Sequence, residues 1–106
     1  MPGPTLAPRP PAVLPDSETR TRLSPLWRVI IHNDDVTPMD FVVSTLREFW
    51  AIGLVQAVRI MLEAHLSGAA LVAVETKEQA EFHVDRAHSS ARARRYPLTF
   101  SLEPGE

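Results

Sequence analysis

The chain has 106 residues, 44% of them hydrophobic, a formal net charge of −2 and no cysteine. A chain this short holds one small core and no second sizeable domain, and its charge gives no support for binding nucleic acid by phosphate neutralisation. The absent thiols exclude disulfides, thiolate catalysis and cysteine zinc sites.

Residues 1–25 contain seven of the ten prolines and little periodic hydrophobicity. That composition cannot repay its ordering entropy by burial, and it predicts a disordered N-terminal extension of polyproline character ahead of a folded domain over 26–106. Met1-Pro2-Gly3-Pro4 opens no charged-then-apolar leader. No apolar run approaches the roughly 18 residues that span a bilayer. A cytoplasmic, non-membrane domain is expected.

Leu26 to Ile31 is short, β-branched and aromatic, hence a strand. Thr37 reads as an N-cap, Pro38 as the first helical residue and Asp40 as its acidic partner. Met39, Val42, Val43, Leu46, Phe49 and Trp50 then follow at helical spacing, with Gly53 as the break. A second helix runs from about Leu54 to Ser67, and Gly68 is placed for a left-handed stop. Ala69 to Glu75 is nearly continuously apolar, as a central or well-covered strand would be. Thr76-Lys77-Glu78-Gln79 is a capping box that opens a third helix to about Arg94. Arg92, Arg94 and Arg95 crowd its last turn, where the helix dipole favours cations, and read as a solvated helix end. Pro97 stops the helix and Leu98 to Glu103 alternates as a third strand. The order β-α-α-β-α-β predicts an α+β fold, a three-stranded antiparallel sheet with the first strand inserted centrally and three helices packed on one face.

Between the first strand and first helix lie His32, Asn33, Asp34 and Asp35, and late in the second helix lie Met61 and His65. Three chemistries suit such a set. A metal could be held by His32, Asp34, Asp35 and His65, but none of the usual zinc spacings is present. Metal-dependent or general-base hydrolysis lacks a framed nucleophile and an oxyanion loop. Recognition of a cationic amine fits acceptor-only carboxylates, an amide oxygen and a neutral imidazole nitrogen, with methionines as adaptable apolar walls. A plain Asx turn capping nearby N–H groups remains open beside these readings.

The runs WRVIIHNDDVTPMDFVV, RIMLEAH and RYPLTFSLEP, and above all NDDxTPM with a downstream MLxxH, resemble the ClpS family over about residues 26–104. These are adaptors that deliver N-degron substrates to AAA+ Clp proteases. The resemblance implies a non-enzymatic adaptor without cofactor or metal. Its partners would be a Clp unfoldase of the ClpA or ClpC type and proteins exposing N-terminal Phe, Leu, Trp or Tyr. It assigns Asn33, Asp35 and His65 to the α-amino group, with help from Asp34. Ile31, His32, Thr37, Met39, Val42, Met61, Ala64 and Leu98 would line the side-chain pocket, Met39 excluding β-branched residues. Glu78 and His83 would take the unfoldase-docking positions. Ala64 stands where the family usually has Val and is expected to deepen the pocket and give relatively better tolerance of Trp. His83 and Ala69 stand at usual Lys positions. The alternative is a docking domain of the same architecture without an amine site, since fold does not dictate function.

Overall fold

The computed structural model describes residues 25–105. The extension expected over 1–25 lies, apart from Pro25, outside the described residues. The elements are β1 (Leu26–His32), α1 (Met39–Trp50), α2 (Leu54–Ser67), β2 (Ala69–Thr76), α3 (Lys77–Ala93) and β3 (Thr99–Pro104). The sheet order is β2-β1-β3, with both pairings antiparallel, so β1 is the central strand as expected.

Period-two alternation sends Val29 and Ile31 to the helical side, level with Ala70, Val72 and Phe100. There they meet Leu46 of α1, Ala57 and Ile60 of α2, and the small stripe Ala80, Val84, Ala87 and Ala91 of α3. Ala80, Ala87 and Ala91 are fully buried, and their size lets that helix lie close to the sheet. The register slips between Val29 and Ile30, leaving Val72 unpaired as a bulge. The opposite sheet face is open and carries the Arg28 to Glu103 ion pair at 3.8 Å.

β2 is an edge strand, not a central one: Leu71 and Val74 are 39% and 49% exposed. Its apolar run misled because Leu71 and Val74, at positions that turn away from the core, are apolar although exposed.

The helix ends correct three further expectations. α1 begins at Met39 with Pro38 as an N-cap that offers no side-chain bond, and Thr37 lies outside it. Asp40 accepts from the N–H of Phe41 at 2.9 Å and does not reach back to Thr37. Ala51, not Gly53, adopts the left-handed conformation that ends α1 (φ 54°), while Gly53 is extended and serves as the N-cap of α2. Gly68 (φ 96°) does close α2, its N–H bonding the Ala64 carbonyl at 2.8 Å. Thr76 caps α3 by accepting from Gln79 N at 3.3 Å.

Candidate functional site

β1 runs directly into the loop from Asn33 to Pro38. The N–H of Asn33 bonds the carbonyl of Gly68 at 2.9 Å, which ties the start of this loop to the end of α2. His65, one turn before Gly68, is thereby held beside the loop. Inside the loop, Asp34 acts as the organiser: Oδ1 accepts from the N–H groups of Val36 (2.8 Å) and Thr37 (2.7 Å), and Oδ2 from the Thr37 hydroxyl (2.9 Å). Burial pushes the Asp34 carboxyl upward, but the N–H donors of Thr37 and Val36, the Thr37 hydroxyl and the charge of Arg92 outweigh it and hold the group below its ordinary 3.8. Asp34 thus closes an Asx turn in the loop ahead of α1, taking loop N–H groups and not those of the helix's first turn.

Asn33, Asp35 and His65 stand in contrast. All three are exposed, and none of the hydrogen bonds among the described residues engages their side chains. They rim a cleft of about 160 Å³ whose lining comprises every residue expected for the amine and side-chain sites. Its deep walls are Ile31, Val42, Ala64 and Leu98, all buried; Met61 is half-buried and Met39, 45% exposed, stands at the mouth. An apolar floor below a rim of free acceptors can hold one large hydrophobic group that carries a hydrogen-bond donor at its base.

Two of the lining residues behave differently from the rest. Thr37 borders the cleft while its hydroxyl serves Asp34. His32 borders it too, but its Nε2 lies 2.7 Å from the Ser101 hydroxyl on the open face of the sheet. With His32 turned there and Asp34 engaged in the loop, the metal set His32, Asp34, Asp35 and His65 does not converge. Among the described residues no three acidic or histidine side chains form a metal-sized cluster.

The docking pair is also dissimilar in setting. Glu78 is exposed in the first turn of α3, whereas His83 is half-buried with Nδ1 at 3.0 and 3.1 Å from the two Glu75 oxygens. Glu75 also accepts from the indole of Trp50 at 2.9 Å. His83 therefore belongs to a Trp50–Glu75–His83 network joining α1, β2 and α3.

Sequence reasoning missed Arg92. Its Nη1 donates to the carbonyls of Tyr96 (2.7 Å) and Leu98 (2.8 Å), so it is not a merely solvated helix end. The only sequence signal was an arginine a few residues ahead of a proline-bearing turn. His88 was missed as well: its Nε2 accepts from Phe100 N at 3.0 Å, and burial, with the charge of Arg92, holds it below its ordinary 6.5.

Among the described residues no helix is long and apolar enough to cross a membrane. The family model described as ATP-dependent Clp protease adaptor protein ClpS matches residues 22–101. The ClpS 2 adapter of Mesorhizobium japonicum is 42% identical over 96 residues, covering 85% of this chain and 95% of its own. The ClpS 1 adapter of Rhodopseudomonas palustris is 46% identical over 81 residues, covering 76% and 79%. Among solved structures, Agrobacterium tumefaciens ClpS2 bound to L-phenylalaninamide superposes with a TM-score of 0.73 at 32% identity, covering 76% of this chain and 96% of that one. A match over most of the folded region, with relatives well above 30% identity, decides the question of family. The chain belongs to the ClpS family of ATP-dependent Clp protease adaptor proteins, and as such it is an adaptor and not an enzyme.

Proposed function

We propose that the cleft binds the free α-amino group and the large hydrophobic N-terminal residue, Phe, Leu, Trp or Tyr, of an N-degron substrate. The adaptor then delivers that substrate, in the cytoplasm, to a AAA+ Clp unfoldase of the ClpA or ClpC type. The observation that carries this reading is the pairing of three unengaged acceptors, Asn33, Asp35 and His65, with a closed apolar floor. An α-ammonium has three N–H donors, and the amide oxygen, carboxylate and neutral imidazole nitrogen can each accept one. A cavity of about 150 Å³ is known to hold benzene, so a cleft of about 160 Å³ suits one phenyl or isobutyl group. The similar Agrobacterium protein is bound to a ligand with both features, a free amine and a benzyl side chain.

Each charge-assisted hydrogen bond contributes about 1.5–3 kcal/mol, and burial of one large side chain a similar amount. Against association costs of at least about 4 kcal/mol, the net is at most about −8 kcal/mol, a Kd of about micromolar or weaker. Neither half reaches that alone, which is why an internal Phe, lacking the amine, is not a ligand. Asp34 supports the site by shaping the loop and keeping negative charge behind it. Met39 at the mouth narrows the approach against side chains branched at Cβ.

Calorimetric titration tests the reading with peptides beginning with Phe, N-acetyl-Phe and Val. Acetylation removes the charge and two donors, and is expected to weaken binding at least about 100-fold. Equal binding of the free and acetylated peptides would overturn the proposal and favour a docking domain without an amine site.

A further inference from the structure

We propose that Arg92 is a positioning residue that sets the depth of the cleft, and with it the ranking of N-terminal side chains, by locking the Tyr96–Leu98 turn against the end of α3. This rests on the functional reading above and adds to it the part of the molecule that holds the cleft's rear wall.

Leu98 is 1% exposed and forms that wall, yet it lies after α3 and before β3. Backbone bonds to the end of α3 reach only as far as Tyr96, with Arg95 N–H to the Arg92 carbonyl and Tyr96 N–H to the Ala91 carbonyl, both at 2.9 Å, and the β1–β3 register of the sheet ladder ends at the His32 and Thr99 pair. Pro97 has no N–H to contribute. Beyond the Tyr96 N–H the turn is held by side chains: Arg92 Nη1 bonds the carbonyls of Tyr96 and Leu98, and the Thr99 hydroxyl bonds that of Pro97 at 2.8 Å. Three consecutive carbonyls are thus capped by side chains, two of them by one nitrogen with two N–H groups. The turn is entered through Arg95 at φ 63°, a left-handed conformation that a non-glycine residue adopts only when its surroundings hold it there. Among the described residues Arg92 has no carboxylate within 4 Å, so its guanidinium is committed to the turn.

Removing that brace lets the wall shift relative to Ile31 and Ala64 while the amine-binding rim, anchored separately through Asn33 to Gly68, stays in place. Side-chain discrimination and amine recognition should therefore separate. In Arg92→Met, which keeps the apolar stem, affinity for the Phe peptide is expected to fall about three- to tenfold relative to an Ala-initiated peptide. In Arg92→Lys, which keeps the charge that Asp34 feels, the ratio of free to acetylated Phe peptide should remain as in the unaltered protein. Arg92→Lys keeps the charge but loses the planar fork, so it should show an intermediate shift, and it carries the test if Arg92→Met does not fold. A role confined to stability would lower the folded fraction and scale all peptides alike. A uniform loss, or no change in the Phe-to-Ala ratio, overturns the positioning role. If the unaltered protein itself fails to distinguish free from acetylated Phe, the functional reading fails first, so the two failures are distinguishable.

Discussion

Ala64 offers the sharpest test of how the cleft selects. It is 3% exposed on the core-facing side of α2 and forms part of the deep wall. Ala64→Val adds two methyl groups to a space of about 160 Å³, scarcely larger than the roughly 150 Å³ that accommodates benzene. An indole has no room to retreat, and overpacking of this kind costs about 1–3 kcal/mol, a loss of about five- to 150-fold for a Trp-initiated peptide. A Leu side chain leaves slack, and the new methyls can regain contact worth up to about 0.8 kcal/mol each, so its affinity should hold or rise. The folded state itself should lose only about 0.5 kcal/mol from the lower helix propensity of Val. Titration of Trp, Phe and Leu peptides against both proteins gives the ratios directly. Equal factors for Trp and Leu, or a Trp affinity that does not change, would show that Ala64 does not bound the space where the side chain sits.

Asp34→Ala removes three loop contacts and should cost about 1–2 kcal/mol of stability in urea unfolding, whereas Asp35→Ala should leave stability unchanged and abolish peptide binding. Because the Asp34 carboxyl is held below 3.8, its contribution is complete above that pH and lost as pH falls through the lower folded value, a loss absent from the Asp34→Ala profile. His88 has the opposite chemistry. Its folded value is depressed, so the unfolded chain takes the proton first; stability is full above about pH 6.5 and declines as pH falls below it, and the difference in urea midpoint between wild type and His88→Gln should shrink accordingly. Ala51→Gly relieves a left-handed alanine at φ 54° and should stabilise by about 0.5–1 kcal/mol, read as a higher melting temperature.

Element types and sheet order were legible because they rest on strong local signals: the β-branched run of β1, the periodic apolar faces of α1 and α2, and the capping box at Thr76. Gly68 was legible as a stop because glycine adopts the left-handed conformation there without the steric cost a side chain carries. Ala51 was not, because an alanine carries no mark of the conformation that packing imposes on it. The cleft residues were named through family resemblance; the bare residues left a metal site, a hydrolase and a plain turn open. The division of labour between Asp34 and Asp35 was hidden, since two adjacent carboxylates look alike until the loop's N–H groups choose one. Arg92 was misread as a solvated helix end for a physical reason. Its partners are backbone carbonyls four and six residues on, and a side chain's letter does not disclose which carbonyl comes to meet it.

The central position of β1 has a consequence for how the domain is made. The first strand of the fold pairs on one flank with β2 and on the other with β3, and the Trp27 to Pro104 pairing closes a span of nearly the whole domain. A nascent chain can therefore form α1 and α2 early, but β1 keeps one edge unpaired until β3 has left the ribosome. During that interval its apolar edge is open to pairing with other chains. Non-local pairing of this kind also slows folding, because loop closure must precede its reward. The domain should fold late and all at once, with β3 as the step that ends its exposure.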